Sequence, residues 1–415
     1  MTTILIDPTL RRARRMRATV AVVCAFTVGA MALGAIELRA RDRPAPALPS
    51  PRRGSKSAGR RPPFGRRPAA GPPRRLGKPV REPARSPTTK VRAPRVTAFV
   101  DPSVTGAVAS LGAHASELAA AAFTGILVGD GGRVIDRLDR SAVRVATAAR
   151  VPALALVQNL DERDGRWRPD RVRALAGDAR ARQALGAGLA ARCLEAHLAG
   201  VHLDLEALDD DWRPLVAIAA EAARALHAHG LELSVDVPAA LDADVLAAVA
   251  RAADHVVVMA YDEHDADGPP GAIASEAFVA DTLAAAARAL PPGKLTAGLA
   301  IYGYDWVGDD AADPISFVDA HAAAKEARVE PRWDPAGNVR FQYADDDGAH
   351  QVWLTDAASV WNQARIAAGA GVGDVALWRL GGEDPGVWEA LAHLGDAAPP
   401  IASVPPDGRV TNEGD

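Results

Sequence analysis

The chain has almost no cysteine: two in 415 residues, Cys24 and Cys193. They lie in segments of different character, so no disulfide between them is expected, and two cysteines alone identify no compartment. A Gly-rich phosphate turn after an early strand is also missing, which sets aside a dinucleotide-binding doubly wound sheet. Acids are scarce across residues 11–95, where Arg is dense. From about Asp101 the balance reverses, with acidic clusters at Asp209-Asp210-Asp211, Asp309-Asp310 and Asp345-Asp346-Asp347. The net charge of −4 conceals this asymmetry. A basic arm on an acidic body argues against a nucleic-acid-binding core, so no nucleic-acid partner is expected.

What is present begins with an uncharged run, Ala18 to Ile36, behind Arg11, Arg12, Arg14, Arg15 and Arg17. Its length suffices to span a hydrocarbon core as a helix. The arginines before it predict a cytoplasmic segment 1–17 and an exported remainder on a single-pass membrane anchor at 18–36. Ala30-Met31-Ala32 offers a signal-peptide cleavage site as the rival reading, but the apolar run continues past it. Residues 37–94 are rich in Pro, Arg, Gly and Ser and cannot bury enough surface to order themselves, so a linker is expected. The tail, 398–415, reads as disordered.

Residues 95–397 alternate strand-like and helix-like stretches. Candidate strands are Val96–Val100, Gly125–Val128, Ala153–Val157, Gly200–Glu206, Glu232–Val237, His255–Tyr261, Leu295–Ile301 and Asp374–Trp378. Ala-rich stretches such as Ala113–Ala122, Ala239–Ala253 and Ala277–Leu290 read as helices between them. Eight such units predict an α/β fold, a (β/α)8 TIM barrel. Residues from Tyr302 to about Ala370 interrupt the pattern between the seventh and eighth strands. Their aromatic content predicts a small inserted subdomain.

One strand carries a polar face where a barrel strand should be apolar. In Gly200-Val201-His202-Leu203-Asp204-Leu205-Glu206, side chains at alternate positions point the same way, so His202, Asp204 and Glu206 share one face. Burying two carboxylates and an imidazole costs several kcal/mol, on the order of the penalties for unpaired buried charge, unless they pair or act. Ionised Asp204 would raise the pKa of Glu206 and keep it protonated as a general acid. Catalytic groups of a barrel sit at the carboxyl ends of its strands. There the fifth candidate strand carries Asp236, which could instead cap the next segment. The sixth carries Met259 and Tyr261, and the eighth ends at Trp378, a flat apolar surface suited to a sugar ring.

These motifs, in barrel order, resemble glycoside hydrolase family 18, the chitinase-like enzymes. Gly200–Glu206 looks like that family's catalytic strand and Met259-Ala260-Tyr261-Asp262 like its sixth-strand motif. Gly298–Gly303 looks like its seventh strand, and Trp378-Arg379-Leu380-Gly381 like its eighth. Within the family, Met259–His264, Tyr302–Trp306, Val352–Ala357 and Trp378–Pro385 are similar to the hydrolase-like domain of bacterial envelope proteins fused to a polysaccharide deacetylase and a family 2 glycosyltransferase. The resemblance implies an enzyme acting on N-acetylglucosamine-containing polysaccharide, with no metal or cofactor, and an envelope glycosyltransferase or deacetylase as a possible partner. It implies Glu206 as acid, then base; Asp204 as the group orienting the substrate acetamide; Tyr261 as a donor to it. Trp378 would be the floor, with Met259 and Asp262 lining the site; Asp236 and His202 are read as further substrate-binding candidates from their strand positions. The family pattern has Asp where this chain has His202, and another Asp at Ala199. His202 is therefore expected to hydrogen-bond Asp204, unless it is a packed core histidine. A degenerate barrel that binds glycan without cleaving it is the alternative reading.

Overall fold

The computed structural model describes residues 92–396, apart from 209, 210, 292, 309 and 310. The expected anchor, all but the end of the linker, and the tail lie outside these residues. Among the described residues no helix is long and apolar enough to cross a membrane.

Eight parallel strands close on themselves: β1 (Arg95–Val100), β2 (Leu118–Val128), β4 (Ala153–Gln158), β5 (Gly200–Asp204), β6 (Glu232–Pro238), β7 (His255–Met259), β8 (Leu295–Ala300) and β14 (Asp374–Trp378). The ring is completed by β1 pairing with both β14 and β2, while short β3 (Val134–Asp136) adds antiparallel to β2. Helices cover the outside: α1 (Ala107–Ala113), α2 (Arg140–Ala148), α3 (Pro169–Gly177), α4 (Ala179–Ala196), α5 (Arg213–His227), α6 (Ala243–Ala252) and α7 (Glu276–Ala289). This is the expected (β/α)8 barrel. Val201 and Leu203 of β5 bury into the strand–helix layer, whereas Phe99, Ala122, Leu154, Leu156, Val257 and Ala376 fill the barrel interior. Side-chain alternation thus sorts each strand between two cores.

Sequence chemistry sets the element ends. Asp139 and Asp178 cap α2 and α4 by accepting from the backbone N–H groups of Ser141 and Ala142, and of Arg180 and Ala181. Gly200 opens β5 because a Cβ there would lie 2.1 Å from the Glu232 carbonyl oxygen of β6. Cys193, buried on α4, donates its thiol to the Gly200 carbonyl at 3.4 Å. Burial pushes that thiol up to about 12, so it is inert.

Two expectations need correction. The expected helix Ala113–Ala122 does not form: α1 stops at Ala113, Ala115–Glu117 is a single 3-10 turn, and Leu118–Val128 is a strand with Ala121 and Ala122 fully buried. Tertiary pairing with β1 and β4 overrides the high intrinsic helix propensity of alanine, whose small side chains fit a strand covered on both faces. The insertion also ends earlier than about 370. Its five-stranded antiparallel sheet runs β10-β9-β13-β12-β11, from β9 (Gly303–Val307) through β10 (Asp313–Ile315), β11 (Arg332–Trp333) and β12 (Val339–Asp345) to β13 (Gly348–Leu354). Helix α8 (Phe317–Ala327) packs on it. Residues 357–369 form α9, a barrel helix started by an Asp356–Ser359 capping box, and α10 (Val387–Ala392) closes the ring.

Candidate active site

A cleft of about 560 Å³ opens at the carboxyl ends of the barrel strands. Asp204 ends β5, and Glu206 follows two residues later, outside the strand and half-buried. Asp236 comes from β6, Met259 and Tyr261 from the end of β7, and Trp378 from the end of β14. All six line the cleft together with Asp262.

The two central carboxyl groups are bonded to each other and to different surroundings. Asp204, 5% exposed, accepts from Gln158 Nε2 at 2.8 Å and shares a hydrogen bond with Glu206. Burial, then the charges of Asp204 and Asp236, push Glu206 up to about 8. Burial and Asp236 also raise Asp204, but the Gln158 donor and His202 oppose them. The pair therefore holds a shared proton near neutrality, and Glu206, raised by burial and by the carboxylates of Asp204 and Asp236, is the side that retains it. Tyr261 is held well above the ordinary tyrosine range by burial and by Asp236, Asp204, Asp262 and Glu206, so its hydroxyl remains a donor.

The remaining expected residues divide. Asp262 accepts from the hydroxyls of Tyr302 and of Tyr304, the latter at 3.2 Å. Its carboxyl is raised by burial and lowered by both tyrosines. Asp236 is 3% exposed and caps nothing, since Asp242 starts α6. His202 departs from expectation. It is 0% exposed, does not line the cleft and makes no hydrogen bond to Asp204. Its Nε2 lies 2.7 Å from Asp236 Oδ2, out of line for a hydrogen bond, and its ring meets the Phe99 edge at 4.9 Å. Two residues earlier on the strand than Asp204, its side chain falls into the barrel interior beneath the cleft floor. It packs against Asp236 from below the cleft.

Several residues were not anticipated. Asn159, fully buried after β4, accepts from the Glu206 N–H and donates to its carbonyl. The signal was a Gln158-Asn159 pair ending an otherwise apolar run. Trp167 and Trp212 line the cleft from the loops after β4 and β5, with Phe278 and Glu263 also on its wall. The Trp167 loop is braced by a bridge to Leu160 and by Arg168 and Arg171 on Asp161, at 2.7 and 2.9 Å. Behind Trp378, Arg379 sits 5.7 Å from the indole and pairs with Asp101 at 2.9 Å. Trp306 of the insertion is buried and donates to the Gly268 carbonyl at 3.0 Å, while Asp305 pairs with His350 and Tyr343. Both brace the insertion. Among the described residues no group of three or more His, Cys, Asp or Glu could hold a metal ion.

The model for glycosyl hydrolases family 18 matches residues 170–383, more than half of the chain and every strand from β5 to β14. The chain belongs to family 18. A cortical fragment-lytic enzyme of Bacillus anthracis is 35% identical over 147 residues, which is 34% of this chain and 34% of that protein. This chain therefore spans about a third of the length of that relative. An uncharacterized glycosylase of Bacillus subtilis, YvbX, is 27% identical over 206 residues, 46% of this chain and 60% of the relative. Among solved structures, a chitinase from Chromobacterium violaceum aligns with 29% identity and a TM-score of 0.67, covering 73% of this chain and 99% of that one. The Bacillus cereus spore cortex-lytic enzyme SleL shares the fold at 23% identity and a TM-score of 0.65, over 72% of this chain and 74% of its own. The family 18 match includes Asp204, Glu206, Asp236, Tyr261 and Trp378 within its span.

Proposed function

We propose that this chain is a glycosidase that cleaves N-acetylglucosamine-containing polysaccharide with retention, using the substrate's own acetamide as nucleophile. The observation that carries the reading is Glu206, holding a proton beside Asp204 at the floor of an aromatic-walled cleft. Glu206 donates that proton to the glycosidic oxygen as the C1–O bond breaks. The acetamide carbonyl oxygen of the same sugar attacks C1 and forms an oxazolinium ion. Asp204 faces the acetamide nitrogen and balances the positive charge, while the Tyr261 hydroxyl donates to the acetamide. Trp378 lies beneath the ring. Glu206, now ionised, deprotonates the water that opens the intermediate and so recovers its proton. This is one of the exceptions to the two-carboxylate retaining scheme.

Acetylated glucosamine oligomers test the reading. The wild type should release products of retained anomeric configuration, and Glu206→Gln should lower kcat by about 10²- to 10⁴-fold, the usual span for a general acid. Tight binding with no product from the wild type would instead favour a glycan-binding barrel, a reading that the replacement of the family's Asp by His202 keeps open.

The amino-terminal sequence supports export with a single membrane anchor at 18–36. Fractionation with extracytoplasmic protease access tests this separately. Protection of the barrel from added protease would overturn it.

A further inference from the structure

The opposite end of the barrel is hollow. On the far side from the cleft, a cavity of about 190 Å³ enters along the barrel axis, bordered by all eight barrel strands at or next to their amino ends. Bulky branched side chains ordinarily fill a barrel in layers. Here Thr97, Ala120, Ser234 and Thr296 take the inward positions, while their neighbours Val96, Leu233 and Leu295 pack under the helices. Ser234 is 6% and Thr296 4% exposed, yet neither hydroxyl has a hydrogen-bond partner among the described residues. Buried hydroxyls are normally paired, and an unpaired one is costly. Leu154 and Val257 give the cavity an apolar side. At its mouth Arg95 and Asp374 lie 3.7 Å apart. Buried Phe99, Leu156 and Ala376, each two residues further along its strand than a lining residue, plug the axis between this cavity and the catalytic floor.

We infer that this cavity is an accessory site for a small neutral polyol, a short carbon chain with a hydroxyl on each carbon. Volume sets the size: a hollow of about 150 Å³ accepts benzene, so this one takes roughly six to ten heavy atoms. A hydroxyl both donates and accepts, so Thr97, Ser234 and Thr296 can pair with a row of ligand hydroxyls in either sense. The carbon chain packs on Leu154 and Val257. A charged ligand fares worse, because the inner wall offers it no counter-ion and the Arg95–Asp374 pair at the mouth already matches itself. Since the plug separates the two ends, the polyol stabilises the folded barrel without contending with glycan in the cleft.

Saturation-transfer NMR on the full chain tests this with glycerol, erythritol and xylitol, against glycerate and ethanolamine as charged counterparts of similar size. The neutral polyols should bind. Thr296→Val, which keeps the volume and removes the hydroxyl, should weaken them about three- to tenfold, the worth of one hydrogen bond. Ser234→Ala should act in the same direction. Ala120→Leu fills the hollow and should abolish the signal; if that variant does not fold, Thr296→Val decides. An acetylated glucosamine oligomer added to Glu206→Gln should leave the polyol signal in place. Polyol binding untouched by both Thr296→Val and Ser234→Ala overturns the inference, as does displacement by the oligomer. Tighter binding of glycerate or ethanolamine overturns the neutral-ligand assignment, and no binding of any polyol means the hollow holds an ordered water cluster only, which overturns the site altogether.

Discussion

Asn159 grips Glu206 by its main chain: Asn159 Oδ1 accepts from the Glu206 N–H at 2.8 Å, and Asn159 Nδ2 donates to the Glu206 carbonyl at 3.0 Å. Glu206 lies beyond the end of β5, where the strand ladder no longer holds it, and Ala207 turns the chain with φ of 59°. The amide of a neighbouring strand end takes over the work of the ladder. Asn159→Ala should therefore cost about 1–3 kcal/mol of stability for the orphaned buried groups. It should also lower kcat by roughly 10²-fold, the usual cost of misplacing a reacting group by about 1 Å. Urea melts and steady-state kinetics with KM resolved from kcat check both. A variant that loses stability with kcat untouched would remove the positioning role.

The proton on Glu206 has a pH signature. Its ordinary value is 4.5, and in the fold it is pushed up to about 8. Activity that needs the protonated acid should fall as pH rises through about 8. Stability has the same sign. Between 4.5 and about 8 the folded chain retains a proton that the unfolded chain has released, so rising pH favours unfolding across that window. Asp204→Asn removes the neighbouring charge, lowers the pKa of Glu206, and should move the alkaline limb of residual activity to lower pH. A pH–rate profile with parallel melting curves measures this.

His202 and Asp236 should behave as one unit. Removing one member of a buried polar pair leaves the other without its partner, which costs about 1–3 kcal/mol. His202→Asn alone should approach that loss, and the double variant with Asp236→Asn should recover much of it. A double-mutant cycle by denaturant unfolding gives the coupling, expected at about 1–3 kcal/mol. Simple additivity would mean the 2.7 Å approach carries no energy.

Tyr261→Phe keeps the packing of a half-buried ring and deletes only the hydroxyl. If that hydroxyl steadies the acetamide in the transition state, kcat should drop by about 10²-fold, as for loss of one preorganised donor, with KM little changed. Equal losses in binding and turnover would place the hydroxyl on the ground state instead.

Gly200→Ala tests the fold beneath the site. A Cβ at 2.1 Å from a backbone oxygen cannot be relieved by a rotamer change, so β5 and β6 must separate. A loss of about 3 kcal/mol or more is expected by thermal or urea melting, at the upper end of overpacking costs.

The barrel was legible because the apolar runs of its strands are interrupted at regular intervals by alanine-rich helices. The runs beginning at Val96, Ala153, Glu232, Leu295 and Asp374 come within a residue or so of the observed strands. Leu118–Val128 was not legible to its full length, since a run of alanines carries no periodicity to separate strand from helix. The site divides in the same way. Asp204, Glu206, Tyr261 and Trp378 announced themselves as polar or aromatic residues at predicted strand ends. Asn159, Trp167 and Trp212 did not, because their importance comes from neighbours tens of residues away.

By itself the amino-acid sequence determined the order of strands, the alternation that turns His202 and Asp204 inward, and the proposed acid and its neighbour as a carboxyl pair. All three follow from local rules, the period of a strand and the chemistry of side chains. Only the closed barrel decided which groups meet: Asn159 with Glu206, His202 with Asp236 and not with Asp204, and Tyr302 and Tyr304 with Asp262. Those pairings depend on strand stagger and loop return across the ring, and no short stretch of chain encodes either one.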